Sequence, residues 1–377
     1  MSKKFIIVGG GIGGLATALA LYRAGVEVEL FERATAIREV GSGLSLWPNA
    51  TRVLQSLGVL EEATSRAEIV TRFNLQRPDG TRIATIAMGG FDTPTLSVHR
   101  AELHTTLLTA LPKGCLKTDH TMQAFVQDTA GVTAIFSNGR EVRADGLIGA
   151  DGIRSVVRGQ LHGTVAPLFR GYCIWRGIAH DPGGIPRGPI SETWGHGQRF
   201  GIMPMGQGRI CWYATRIALA AEPDASGGRK REVQQLFQPW HNPIRALIAA
   251  TAESDILKND AQDRPPLHHW GDGCVTLVGD AAHPITPNVG QGVCLAIEDA
   301  ACLAKEVAEA TNVATAFRAY EARRQTRTAF IARQARRIGA IGQWKNPWLV
   351  RGRNFMARLV LARAPTARLN AVYGYKV

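Results

Sequence analysis

Three glycines and one acid set out the first chemistry this chain can do. Gly9, Gly11 and Gly14 follow the apolar run Phe5-Ile6-Ile7-Val8 and lead into Leu15-Ala16-Thr17-Ala18-Leu19-Ala20-Leu21. In a G-x-G-x-x-G turn between a buried strand and a helix, the first glycine permits the tight turn and the second lets a pyrophosphate approach the backbone. The third lets helix and strand pack closely. The start of the helix adds free N–H groups and a partial positive charge. Glu32 ends a second strand-like run, Val26–Phe31, and stands 18 residues beyond Gly14. An acid there is placed to bind the hydroxyls of an adenosine ribose. Strand, glycines, helix, strand and acid in this order point to dinucleotide binding, with a structural turn as the plain alternative. Gly13 and Arg33 flank the fingerprint and join its candidates.

Two more carboxylates stand where apolar runs end: Asp151 in Gly149-Ala150-Asp151-Gly152 and Asp280 in Gly279-Asp280-Ala281-Ala282-His283-Pro284. The ten His are not grouped with Cys or carboxylates as metal ligands. The six Cys are scattered without a C-x-x-C pair, which suits reduced thiols in a cytoplasm. Glu298-Asp299 read as structural, and His283 as positional.

The elements that must position these groups fall into two styles. Strand–helix alternation marks residues 1–69, 98–163 and 268–330 as a discontinuous nucleotide domain. Residues 70–97 and 164–267 alternate in strand fashion and are rich in Trp, Tyr, Gly and Pro, as an inserted antiparallel sheet would be. Residues 331–377 form a basic helical region. At 377 residues, 45% hydrophobic and 20% charged, the composition is that of an ordinary globular protein, without a membrane-length apolar run or a signal peptide before the first strand.

The net charge of +13 is concentrated: from Val313 onward, 14 Lys and Arg face one acid, Glu321. A solvated helix face is the plain reading. Contact with anionic lipid, nucleic acid or an acidic partner is the alternative, and no nucleic-acid motif accompanies the charge. Arg351–Leu361 is amphipathic and suits a membrane edge, dimer packing or a lid equally.

Taken together, the three motifs resemble the single-component FAD-dependent aromatic hydroxylases, the class A monooxygenases, over about residues 5–330. Salicylate, 6-hydroxynicotinate and urate hydroxylases and zeaxanthin epoxidase are the nearest neighbourhood. The resemblance implies an α/β fold: a Rossmann-like FAD-binding domain of the GR2 type, an inserted antiparallel β-sheet substrate domain and C-terminal helices. It implies one bound FAD, NADPH or NADH as a transient co-substrate, and O2. Hydroxylation would proceed through a flavin C4a-hydroperoxide.

On this resemblance Asp280 looks like the acid on the FAD ribityl chain. Pro287-Asn288-Val289-Gly290-Gln291-Gly292 looks like the loop beside the isoalloxazine ring, with the following helix aiming its positive end at the ring edge. Arg100 is similar to the arginine at the FAD diphosphate. Arg38, Ser45 and Met122 fall where the family approaches FAD, and Asp151 falls at a position tied to FAD and NAD(P)H binding. The inserted sheet offers Tyr172, Trp175, Arg176, Trp194, His196, Arg199, Trp212 and Tyr213 around a substrate, each with a core role as the alternative. Among them His196, Arg199 and Tyr213, with Pro287, are candidates for a direct part in catalysis. Strand alternation allows only one of Trp212 and Tyr213 to face the site.

The implied substrate is an aromatic or lipophilic small molecule. A polyene or isoprenoid epoxidase is the second reading. A reductase, a halogenase or a basic-tail binding protein follows, although the halogenase signature Trp-x-Trp-x-Ile-Pro is missing. Asn288 stands where urate enzymes lead one to expect an acid, which argues against urate. A cytoplasmic monomer or homodimer, peripheral at a membrane at most, completes the expectation.

Overall fold

The computed structural model describes residues 3–36, 42–362 and 366–377. Phe5, Ile6, Ile7 and Val8 are buried on both sides and make Lys4–Val8 the middle strand of a five-stranded sheet. Its order is Val275–Leu277, Gly146–Gly149, Lys4–Val8, Glu27–Phe31 and Leu116–Lys117, parallel throughout. A parallel sheet must be covered on its faces, which is why these strands read as unbroken apolar runs. The helices Ile12–Arg23 and Gly292–Glu309 pack against each other beside it. A small antiparallel sheet, Met122–Asp128, Gly131–Phe136 and Glu141–Ala144, carries the turn at Asn138-Gly139.

The larger sheet has seven strands in the order Leu257–Asp263, Leu168–His180, Arg209–Ile217, Gln198–Met205, Pro189–Trp194, Arg72–Gln76 and Arg82–Ala87. It is antiparallel except where Pro189–Trp194 runs parallel to Arg72–Gln76. Period-two alternation splits it into two faces. Trp175, Phe200 and Trp212 face a core closed by the helices Gly228–Phe237 and Ile244–Ala250. Arg176, Glu192, Arg199 and Tyr213 face a large cavity instead. Gly201 pairs with Tyr213 across the ladder, and a Cβ there would lie 2.1 Å from the phenol ring, so only glycine leaves space for it.

The C-terminal helices are Val313–Gly342, Pro347–Ala362 and Thr366–Tyr373, and the boundary expected at residue 330 falls inside the first of them. Part of the basic charge of this region is buried or paired, while Arg333, Arg337, Lys345, Arg351 and Arg358 stay exposed, as on the solvated face that composition suggested. Arg336 reaches Asp263 at 2.7 Å and Arg323 reaches Glu306 at 2.7 Å. Arg353 is buried, donates to the Gly195 carbonyl and lies over Trp194. The deepest pairs join two helices. Arg324 bridges Glu298 (2.6 Å) and Asp299 (2.7 Å), and Arg327 also reaches Glu298 at 3.1 Å. Asp299 accepts from the Gly279 amide at 2.9 Å and meets His283 Nε2 at 2.6 Å.

Burial alone would raise the pKa of Asp299, but the charges of His283 and Arg324 and the bonds it accepts outweigh burial and hold it at about 2. A carboxyl with a depressed folded pKa stabilises fully above its unfolded value of roughly 4 and loses that stabilisation as pH falls through the folded value. Acid unfolding should therefore steepen between about pH 4 and 2 in the native chain, and Asp299→Asn should flatten that segment of a stability-versus-pH curve. Glu298→Gln leaves Arg324 and Arg327 buried with one charge fewer between them. Urea unfolding should show a loss of about 3 kcal/mol, and a loss under about 0.5 kcal/mol would contradict the network's structural role.

Candidate functional site

The glycine turn sits where the central strand ends. The Gly9 amide donates to the Phe31 carbonyl at 2.7 Å, and the Ala150 amide to the Val8 carbonyl at 2.8 Å, which joins three strand ends at one point. Gly9 has φ +111°, and a Cβ on it would meet the Ala150 oxygen at 2.4 Å; one on Gly14 would meet the Gly9 oxygen at 1.9 Å. Gly11 differs, with nothing within 4 Å of its missing Cβ, and it lines the cavity. Two glycines thus close the turn, and one keeps its outer surface bare. Glu32 pins the turn, accepting from the Gly10 amide (2.7 Å) and the Ala34 amide (2.9 Å), and its side chain also lines the cavity.

The cavity measures about 1770 Å³, against roughly 300–1,000 Å³ for an ordinary ligand pocket. Gly13, Arg33, Ser45, Arg100, Met122, Asp151, Asp280, Pro287, Gly290 and Gly292 all line it. Met122 is placed there by the strand after His120, whose amide donates to the Glu32 carbonyl. Arg100 has no ion-pair partner among the described residues. Arg38 lies outside the described residues.

Asp151 uses one oxygen to accept from the Val156 and Val157 amides at the start of the helix Val156–His162. Its Oδ1 is buried without a partner. Burial pushes the Asp151 carboxyl up, opposed by Ser155 and those amides. Arg158, in the same motif, does not pair with Asp151. It donates to the Ala281 and Ala282 carbonyls at 3.0 Å each and so braces the Asp280 turn, and burial and then Arg264 bring its pKa to about 10. Asp280 projects into the cavity, where desolvation by its surroundings raises its pKa against the pull of His283 and Arg100.

The helix Gly292–Glu309 begins at the cavity with no side-chain cap and no acid in its first turn, so its positive end is bare. Gln291 turns the other way: its side chain is buried and its Oε1 accepts from Asn49 at 2.8 Å. These features fit a flavin dinucleotide. A bare glycine surface suits a pyrophosphate, an orphaned carboxylate oxygen suits a hydroxyl, and a bare helix start suits an electron-rich ring edge.

A family described as FAD binding domain matches residues 3–335. The aurachin C monooxygenase/isomerase of Stigmatella aurantiaca is 36% identical over 367 residues, 96% of each chain. The chain belongs to the FAD-dependent monooxygenases. The 2-heptyl-3-hydroxy-4(1H)-quinolone synthase of Pseudomonas aeruginosa is 32% identical and covers 94% of each chain. Zeaxanthin epoxidase of Solanum lycopersicum is also 32% identical, over 96% of this chain, which spans only 58% of that protein. Among solved structures, HpxO of Klebsiella pneumoniae in complex with FAD and uric acid superposes with a TM-score of 0.88 at 26% identity, covering 99% of this chain and 96% of that one. The monooxygenase is a flavoprotein of the aromatic-hydroxylase fold.

On the substrate side the sheet brings together Arg176, Trp194, Arg199 and Tyr213. Trp175 and Trp212 belong to the opposite core, so Tyr213 is the member of its pair that faces the site. Tyr172 is buried next to Arg199, whose guanidinium lies 5.8 Å over its ring, and its hydroxyl accepts from Asn288 at 2.8 Å. His196 is exposed, touches the Lys345 carbonyl and lines a separate surface depression rather than the cavity. Arg199 is fixed between Glu192 (3.2 Å) and Asn288 (2.5 Å). Glu192 was missed in the sequence, although Ile190, Glu192 and Trp194 follow the alternation that would have shown it. Also missed were the cavity-lining residues of the C-terminal region, such as Ile338 and Met356 on its helices and Trp344 between them.

The glycines separate folding from cofactor binding. Gly11→Val should keep the far-UV circular dichroism of the native protein while FAD affinity, read by flavin fluorescence, drops at least ~30-fold. Gly14→Ala should instead compromise folding itself. Tight FAD binding by Gly11→Val would refute the placement of the pyrophosphate.

Proposed function

We propose that this monooxygenase consumes NADH or NADPH and oxygenates a flat heteroaromatic nucleus, of the 4-quinolone kind, that carries an apolar chain. The shape of the cavity carries this reading. Its lining joins the glycine turn to the polar Glu192, Arg199 and Tyr213 and to the apolar Phe330, Ile338, Ile341, Trp344 and Met356, which we take as a corridor for a chain. A small, compact ring would leave that corridor unfilled, whereas an alkyl chain would bury apolar area along it. The relative that makes 2-heptyl-3-hydroxy-4(1H)-quinolone supports the same combination of ring and chain.

FAD, when bound, supplies the redox chemistry that activates O2. The chain's own groups hold the substrate against it. Burial, with the Glu192 carboxylate beside it, keeps the Tyr213 phenol protonated well above neutral pH. The phenol is thus a hydrogen-bond donor toward a ring oxygen and not a base. Arg199 places a fixed positive charge in the floor, suited to hold a substrate oxygen in its anionic form, the electron-rich state from which a ring accepts an electrophilic oxygen. Asn288 donates to Thr286 and to the Ala335 carbonyl as well as to Tyr172, so it locks the turn beside the ring in place of an acid. Ile190, Ile285 and Phe73 line the same space and exclude water from the reacting face.

The test is NADH and NADPH oxidation by FAD-loaded protein with 4-quinolones bearing and lacking an alkyl chain. A chain-bearing compound should raise kcat/KM at least ~10-fold over its bare ring and gain one oxygen by mass. Equal rates for both compounds would sink the chain-binding reading. The epoxidase reading is favoured by the same apolar corridor and by the likeness to zeaxanthin epoxidase. It predicts oxygen on an isolated double bond of a polyene, with no turnover of quinolones. Tyr213→Phe should lower kcat/KM about tenfold while FAD binding stays unchanged, as expected for the loss of one hydrogen bond to substrate.

A further inference from the structure

The helix Pro347–Ala362 leaves most of its large apolar side chains exposed while burying two polar ones. Val350, Arg353 and Asn354 are buried, whereas Trp348 is 75% exposed, Phe355 62%, Met356 54%, Leu349 49%, Leu359 40% and Val360 37%. Among the described residues, six of the fourteen exposed large hydrophobic side chains lie on this one helix, so they form a patch rather than a scatter. Trp348, Phe355 and Leu359 repeat at i, i+7 and i+11, which makes one outward stripe. Leu349, Met356 and Val360 repeat at the same spacing in the next row and, like Trp348, line the cavity.

Charge identifies what covers this stripe. Arg351 and Arg358, seven residues apart, border it, both exposed and without a carboxylate partner among the described residues. The Arg351 guanidinium lies 5.2 Å over the Trp348 ring. Lys345 precedes the helix, equally exposed and equally without a carboxylate. No Asp or Glu follows Glu321 in the chain, so nothing on this helix repels an anionic surface. A second copy packed face to face would bring these arginines against their own counterparts, because a twofold interface is self-complementary. A bilayer with anionic headgroups offers phosphates to the arginines and acyl chains to the stripe. Arg and Trp side chains, apolar along the stem or ring and polar at the tip, suit that boundary.

We propose that Pro347–Ala362 lies in the surface plane of an anionic lipid bilayer. Trp348, Phe355 and Leu359 enter the acyl boundary, and Arg351 and Arg358 contact lipid phosphates. No helix of the described residues is long and apolar enough to cross a membrane, so this is adsorption and not insertion. The row Leu349, Met356 and Val360 then opens the cavity toward the lipid. On the substrate reading above, a chain-bearing substrate would enter from the bilayer without crossing water.

Flotation of the full-length, FAD-loaded protein tests the proposal without any turnover, so it stands or falls apart from the choice of substrate. Vesicles of phosphatidylcholine alone are compared with vesicles containing one-third phosphatidylglycerol. Binding should be at least ~10-fold tighter on the anionic vesicles, and Arg351→Gln with Arg358→Gln should narrow that preference. The pair Phe355→Ser and Leu359→Ser should weaken binding ~30-fold or more while FAD content and thermal midpoint stay at the native values, since both side chains are exposed. Three results would overturn the proposal: no flotation with either vesicle, equal flotation of the serine variant, or a dimer in light scattering that the serine variant dissolves while vesicles remain unbound.

Discussion

Two adjacent carboxylates, Glu298 and Asp299, hold the molecule together at the point where its parts meet. Both are fully buried on the helix that starts at the flavin site, and removing such charges from water is costly unless each finds good partners. The partners come from every direction. Arg324 and Arg327 arrive from the long C-terminal helix, His283 and the Gly279 amide from the Asp280 turn, and Asn49 from the second helix of the chain. Arg327 goes on to the Ala371 and Val372 carbonyls, and Tyr375 lies against both guanidiniums. A helix start that must face an electron-rich ring is thereby held by ion pairs a turn or two further along.

The seven-stranded sheet solves a different problem, since its two faces have different tasks. One face is ordinary core, with Phe200 stacked on Trp212 at 5.4 Å and the Trp212 indole donating to Thr251. The other is left open and polar enough to hold a substrate by direction as well as by area. Arg199, buried on that face, is kept in place by Glu192 and Asn288, so a charge can face the cavity without swinging. Rigid strands suit this task better than loops, because side-chain position there follows from the register of the ladder.

The C-terminal helices unite three roles that composition merged into one basic tail. Arg324 and Arg327 neutralise buried acids, Arg353 and Arg336 fasten helix to sheet, and Arg351 and Arg358 remain at the surface beside an apolar stripe. The same helices wall the far end of the cavity, so the part of the chain with the weakest motif content shapes the space for substrate.

The nucleotide half was legible from the sequence because its determinants are local. Gly9, Gly11, Gly14 and Glu32 lie within one strand–helix–strand unit, and much of what fixes them lies there too, the Gly9 oxygen against Gly14 and the Gly10 amide on Glu32, with Ala150 beside Gly9 a distant neighbour. Asp151 and Asp280 could likewise be read as carboxylates in strand-end turns. Alternation alone showed that Trp212 and Tyr213 point opposite ways, but not which one meets the site. That choice needed the helices Gly228–Phe237 and Ile244–Ala250, which cover one face of the sheet and leave the other. The inward turn of Gln291 and the pairing of Arg158 with carbonyls depend on partners more than 100 residues away, the part of Glu192 depends on which face of the sheet is left open, and Arg324, Arg327, Arg336 and Arg353 find their partners on other elements. A local pattern carries propensity and periodicity, whereas the sign and depth of a charge's surroundings exist only once distant elements have packed.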